Sequence, residues 1–354
     1  MALADTATAR AQRFRREARR TSGWAGLIYV LPALIILVIF EVWPIAFAIW
    51  ISLWKWDVGP LSFVGLANYE RLFVEGFVTV DYDDKLAVGE VARSLLVTVY
   101  YTIGVVPVTI VLAFLIAYLL FQPISNRGIL RTIYFLPYVT ASVAITLVFG
   151  WIFNPRVGVA NWTMELVGLP AQTWLEDPIP VAKRVLAWAG VAGIGDWPNN
   201  FAGPSVALFV IILFSIWSSL GYNVVIYLAG LTDIPSELYE AGRIDGATGW
   251  QLMRHVTWPL LSPTTFFLSI VNTISAFQAF SPIYTLTRNT GMGRGEAGGP
   301  LDTTLTITVY IFRNFYERAN SVGYAAAVSL VLFAIILALT LIQFRIIGRK
   351  VHYQ

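Results

Sequence analysis

The sequence predicts an all-α membrane protein with six transmembrane helices. Of its 354 residues, 57% are hydrophobic and only 13% are charged, and the mean hydropathy is +0.68, well outside the usage of soluble domains. Six segments, residues 25–52, 93–121, 129–153, 203–231, 259–285 and 322–347, are long and apolar; a crossing takes about 20 such residues. A polar stretch between the fourth and fifth segments carries helix-start signals and marks a structured surface outside the lipid. Cysteine is absent, which excludes a disulfide framework, a zinc finger and a thiol nucleophile.

In chain order, residues 1–24 carry Arg10, Arg13, Arg15, Arg16, Arg19 and Arg20 against Asp5 and Glu17. This is either a twin-arginine export signal at Arg19-Arg20 or a cytoplasmic tail obeying the positive-inside rule. The apolar run that follows, 25–54, is far longer than a signal-peptide core and has no small-residue cleavage site after it, which favours a retained basic tail. Six crossings return both termini to the same side, here the cytoplasm. Three long segments then lie outside. Residues 54–92 carry the acids Asp81, Asp83 and Asp84, 154–202 are rich in Trp, Pro and Gly, and 286–321 are rich in Gly and polar residues. Loops of this length are usually functional or disordered. Trp162, Trp174, Trp188 and Trp197 are either interfacial anchors or part of a docking surface. Prolines at 32, 44, 107 and 137 bend their helices and open crevices.

The polar stretch, 233–263, reads as helix, bend, helix. Pro235 suits a first helical turn, with Thr232 or Asp233 near the cap and Glu237 and Glu240 after it. Gly246 gives a position free of Cβ sterics, and Thr248 with Gln251 forms a capping box that starts a second helix. A plain link needs only a few residues, so this unit is a contact surface.

At these positions the chain resembles a known family. Glu240, Ala241, Gly242, Asp245, Gly246, Ala247, Trp250, Pro259-Leu260-Leu261 and Pro263 are similar to the EAA motif of membrane subunits of bacterial ABC importers. Residues 63–69, Arg131 to Pro137, Asn154-Pro155 and Gly298-Gly299-Pro300 resemble the sugar-uptake branch, and the likeness runs from about 25 to 353. One departure is Gly242, where alanine is usual, which loosens the helix slightly. The resemblance implies the type I ABC importer permease fold: a permease domain over 25–350, a cytoplasmic coupling loop at 233–258 formed by Glu240, Ala241, Gly242, Asp245, Gly246 and Ala247, and an external loop at 154–202. It also implies a bacterial inner-membrane location, a second and different permease subunit, two ATP-binding subunits that hold ATP and Mg, and an extracytoplasmic solute-binding protein. No cofactor is expected on this chain and no nucleic acid is expected as partner.

The residues agree on what is missing. There is no Gly-Lys pair, hence no P-loop, and no H-E-x-x-H. The two histidines, His255 and His352, stand apart and read as surface residues. The glycine run 291–299 is a flexible loop rather than a phosphate cradle. Polar uncharged residues mark a solute path. Ser215, Ser218, Ser219 and Tyr222 share a face of the fourth segment, and Asn272, Ser275 and Gln278 share one of the fifth, beside Phe277 and Phe280. Such a set suits a sugar, with hydrogen bonds for its hydroxyls and aromatics for its faces. Helix packing by small polar residues accounts for the serines equally well. Glu41 is the one ionisable side chain deep in an apolar segment, a functional position by default; it serves either an ion-coupled carrier or, as preferred, a bundle or wet cavity that satisfies it. The alternative to an ATP-driven importer is a self-contained ion-coupled carrier. That class needs coupling acids and symmetric broken helices, and neither is evident.

Overall fold

The computed structural model describes residues 28–80, 86–122, 126–191, 202–288, 297–346 and 348. The basic head, Asp81, Asp83, Asp84, Trp197, residues 291–296 of the glycine run and His352 lie outside the described residues.

The first apolar segment forms α1 (Ile28–Ser52), which contains a π-turn at Val38–Val42. Pro44 lies just beyond it. Proline offers no N–H and crowds the carbonyl four residues back, so the turn widens there. Two antiparallel hairpins follow outside the membrane: β1 (Trp54–Trp56) with β2 (Pro60–Phe63), and β3 (Val78–Val80) with β4 (Leu86–Val88). Between them lies α2 (Ala67–Val74). Among the described residues these short strands and an isolated bridge between Pro180 and Ser205 are the departures from an all-helical chain. The long helix α3 (Glu90–Phe121) absorbs Pro107 without breaking.

The third segment does not form one helix. It divides into α4 (Arg127–Val139) and α5 (Ser142–Ile152), bent by 98°. Pro137 sits inside α4, and Thr140 and Ala141 then turn to extended backbone with ψ of 144° and 116°. Thr140 caps the end, its hydroxyl donating to the Leu136 carbonyl at 2.8 Å. Among the described residues there are therefore five long apolar helices, or six spans when the bent pair counts as one. The remaining spans are α8 (Val206–Thr232), the pair α11 (Ser262–Phe277) and α12 (Ser281–Arg288), and α14 (Val322–Ile346). The fifth span is thus interrupted at 278–280, with Pro282 in the first turn of α12 where its missing donor costs nothing.

The core lies where α3 and α8 run side by side. Ala113, Phe114 and Ala117 are buried against a face of α8 that includes Ile211, Phe214 and Tyr227. A Cβ on Gly104 would come within 2.7 Å of Ile212, so the glycine sets how closely the two helices approach. Close packing of this kind, rather than escape from water, holds helices together in lipid. α1 and α4 are different: residues 28–46 of α1 are all exposed and α4 buries none of its residues. Glu41 accordingly lies on an open helix face, not in a bundle or cavity of this chain.

The segment 286–321, expected as an outer loop, includes some of the most enclosed residues. Thr304, Leu305, Val309 and Asn314 are fully buried around α13 (Ile307–Phe312). The Ile307 amide donates to Thr98 of α3 at 3.0 Å. Gly298 and Gly299, with φ of +134° and +68°, make the turn into it. Beside it Arg318 makes two hydrogen bonds to Glu90, at 2.7 and 2.8 Å, and this contact holds its guanidinium above the ordinary arginine range.

Residues 154–191 are ordered by one side chain. Asn161, in α6 (Val159–Leu166), is buried, donates to the carbonyls of Pro155 and Gln172, and accepts from the Gln172 amide and the Trp174 indole. Trp174, half-buried, also packs edge-on against Phe153 at 5.2 Å, whereas Trp162 is 60% exposed. α7 (Val181–Trp188) completes the segment, with Arg184 paired to the buried Asp177. Asn161→Ala strands two donors and two acceptors in a buried site. It is expected to cost about 2–3 kcal/mol locally, measured as faster protease nicking between 154 and 191 in membrane vesicles.

Candidate coupling loop and solute path

The polar unit begins as α8 ends. Pro235 stands at the cap with φ −58° and ψ 131°, one position before the expected first turn, and α9 runs from Ser236–Ile244. Asp233 closes α8 instead of capping α9. α9 stops in a Schellman arrangement: the Ala247 amide donates to Gly242 O at 2.9 Å and the Gly246 amide to Arg243 O at 3.0 Å. Gly246 takes φ +79°, a conformation that costs a side-chain-bearing residue about 1–2 kcal/mol. The capping box then forms as expected, with Gln251 N to Thr248 Oγ1 at 3.4 Å and Thr248 N to Gln251 Oε1 at 2.7 Å. It starts α10 (Gly249–Leu252), which continues through a π-turn at Met253–Thr257 towards α11.

The EAA residues divide by direction. Glu240, Ala241, Asp245 and Gly246 are exposed, while Gly242 and Ala247 are half-buried. Gly242 faces the inside of the bend, where an added Cβ would lie 2.6 Å from Leu252 Cδ2. A side chain there would make the end of Leu252 turn aside, so Gly242 lets Leu252 seat in the bend. Two apolar side chains stand out on the same exposed surface, Trp250 of the motif at 65% and Ile244, which the sequence reading passed over, at 86%.

The unit is fastened to three spans. Tyr239 hydrogen-bonds Thr257 at 3.1 Å, and burial holds its phenol above the ordinary value despite that bond. Tyr118 of α3 donates to Gly249 O at 3.3 Å. Phe114 of α3 meets Trp258 and Tyr227 edge-on at 4.8 and 5.8 Å, and Tyr227 donates to Thr265 of α11 at 3.0 Å. The loop is thus tied to α3, α8 and α11.

Deeper in, Asn223 and Asn272 face each other across α8 and α11 with reciprocal amide bonds of 2.7 and 3.4 Å. Asn272 is thus engaged in pairing the helices. Ser215 is buried and accepts from Tyr101 of α3 at 2.9 Å. Ser218 and Ser219 return their hydroxyls to the Ser215 carbonyl at 3.3 and 2.7 Å, the usual way a helix satisfies a serine. Ser275 and Gln278 remain exposed. The helices are antiparallel and registered by the Tyr227–Thr265 and Asn223–Asn272 bonds, so Ser219 lies at about the depth of Ser275. Tyr222 stacks on Tyr138 of α4, centroids 5.3 Å apart and planes 27° apart, and Tyr138 is 49% exposed. Tyr138 was not singled out from the sequence; the crossing of α4 with α8 at Gly221 brings it to Tyr222. No group of three metal-ligating side chains occurs among the described residues.

Residues 86–353 match the family model described as the binding-protein-dependent transport system inner membrane component. The chain belongs to this family. It is an inner-membrane permease subunit of an ABC-type importer. The permease is 30% identical to the sn-glycerol-3-phosphate transport system permease protein UgpA of Pectobacterium atrosepticum, over 94% of this chain and 97% of that one. It is 30% identical to the lactose transport system permease protein LacF of Rhizobium radiobacter, over 91% and 93%. A crystal structure of a bacterial ABC transporter that imports the acidic polysaccharide alginate superposes with a TM-score of 0.70 at 20% identity, covering 95% of the permease and 99% of that chain. That likeness fixes the fold, a type I importer permease.

Proposed function

We propose that the permease translocates a sugar or related polyol delivered by an extracytoplasmic solute-binding protein. ATP is hydrolysed, with Mg, on two separate ATP-binding subunits, a second and different permease subunit completes the path, and this chain itself is not catalytic and binds no cofactor. Both termini are cytoplasmic. The observation that carries the reading is the attachment of an exposed, rigidly capped loop to α3, α8 and α11. Glu240 and Asp245 supply polar contacts to the ATPase, Ala241 and Gly246 permit close approach, Ile244 and Trp250 add apolar contact, and Gly242 and Ala247 hold the bend. ATP-driven closure of the ATPases moves this unit and switches access, each ligand biasing one of two arrangements. The relatives named for lactose and glycerol phosphate, and an alginate importer solved with its sugar-bound periplasmic protein, support the solute class. Within the membrane, Tyr222 and Tyr138 offer a stacking face, with Ser218, Ser219, Ser275 and Gln278 as hydrogen-bonding groups; Asn272 acts by holding the helices in register. The open face of α1 bearing Glu41 suits a neighbouring subunit.

The test is ATPase activity and uptake of the complex in lipid vesicles over a panel of sugars and polyols, with the binding protein present. Tyr138→Ala is expected to raise the half-saturating solute concentration for uptake roughly tenfold, the scale of one lost aromatic contact, at unchanged basal ATPase activity. Uptake by this chain alone, driven by an ion gradient and indifferent to ATP, would replace the reading with the carrier.

A further inference from the structure

A cleft at the outer end of the bundle is not used by the solute path. α3 contributes Arg93 and Val97, the external segment Pro178, Pro180 and Pro204, and the turn before α13 contributes Leu301. Three prolines make these walls stiff. The rim is strained as well: Leu301 and Asp302 both take left-handed φ, 54° and 56°, and Arg313 pins Asp302 at 2.7 Å. Consecutive non-glycine residues in this region persist only where the surroundings impose them, and such strain gathers at ligand clamps.

Arg93 is the unsettled group. It is half-buried, its Nε is fully enclosed without a hydrogen-bond partner, and its guanidinium makes no ion pair among the described residues. Arg184, Arg313 and Arg318 each face an acid, Asp177, Asp302 and Glu90. An arginine that lines a cleft with no acid to pair it among the described residues is complemented by an anion brought from outside. The space holds about three water molecules, enough for one carboxylate or phosphate group and too little for a sugar ring. Its place decides the source. Arg93 lies in the first turns of α3 and Pro204 just before α8, the two most enclosed spans among the described residues, so the cleft sits at the end of the bundle's interior, which favours a docked protein over flanking lipid as the source of the anion.

We propose that this cleft is an anion pocket that receives one carboxylate, from an acidic side chain of the docked solute-binding protein. The partner rests on the function proposed above. The experiment is ATPase stimulation of the complex in nanodiscs as binding-protein concentration is varied, for wild type, Arg93→Gln and Arg93→Lys, at low and high NaCl. Arg93→Gln is expected to raise the half-saturating concentration roughly tenfold, the scale of one charged hydrogen bond. Basal activity and stimulation at saturation should be unchanged, the salt dependence should flatten, and lysine should recover part of the loss. Among Asp/Glu→Asn/Gln variants of the binding protein, one should give a shift that does not add to that of Arg93→Gln. An unchanged half-saturating concentration would overturn the pocket. So would a shift seen only in phosphatidylglycerol and lost in phosphatidylcholine, which would assign the cleft to a lipid phosphate, and so would a fall in assembly or thermal stability without that shift. Absence of any stimulation in wild type would instead count against the proposed function.

Discussion

Gly246→Leu is expected to cut uptake by more than tenfold while the complex still assembles and its ATPase subunits still turn over. Nothing lies within 4 Å of a Cβ built at this position, so the side chain meets no clash. The damage comes from φ +79°: leucine pays about 1–2 kcal/mol there and shifts the backbone towards right-handed conformations. That shift breaks the amide bonds from Gly246 and Ala247 that end α9 and moves the start of the capping box. The bend then presents Glu240 and Asp245 at the wrong angle to the ATPase, and hydrolysis loses its lever. Asparagine enters the left-handed region more readily, so Gly246→Asn should keep much of the coupling. The measurement is uptake and ATP hydrolysis in the same vesicles. Normal uptake by the leucine variant would sink the coupling role of the bend, and equal loss in both variants would point to surface shape instead of backbone geometry.

That bend was legible because its chemistry is local. Thr248 and Gln251 are three residues apart and satisfy each other's backbone neighbours, and Gly246 is the residue a left-handed position demands. Pro235 shows the resolution of such reasoning: proline is content at the first turn or at the cap, and the chain uses the cap. The spans were legible for a different reason, since hydropathy summed over about 20 residues tolerates a short irregularity. The same averaging hid the break after α4, where two extended residues, Thr140 and Ala141, turn the path by 98°, although Pro137 hinted at it.

Non-local contacts were not legible. Asn272 read as a solute ligand because nothing in the fifth span announces its partner, Asn223, which lies 49 residues away. Residues 304–314 read as an outer loop because threonines, Arg313 and Asn314 are polar. They are buried because Asp302 takes the guanidinium and the Tyr310 carbonyl takes the Asn314 amide, pairings that composition does not reveal. Arg93 is the converse case: it is an ordinary arginine in the sequence, and only the fold shows that no acid pairs with it among the described residues.

Gly221→Ala is expected to remove transport and to loosen the chain. A Cβ at this position would lie 2.4 Å from the Tyr134 carbonyl oxygen and 2.9 Å from the Phe135 Cα. Both are backbone atoms of α4, so no rotamer change relieves the overlap and the whole helix must move. Overpacking of this kind typically costs about 1–3 kcal/mol. α4 is the element least able to resist, because it buries none of its residues in this chain and its main contact is the crossing with α8. The core of α3 and α8 is untouched, so the protein should still insert while its thermal unfolding temperature falls. Separating α4 from α8 also separates Tyr138 from Tyr222, the adjacent stacked pair. In a chain without cysteines, Tyr138→Cys with Tyr222→Cys can be bridged by a short bis-maleimide reagent; the bridge should form with Gly221 and fail with alanine. A variant that keeps the bridge and full uptake would show that α4 does not depend on this crossing. A variant that loses both would tie the solute path to a glycine that touches no solute: it lets two backbones meet, and that meeting places the aromatic rings.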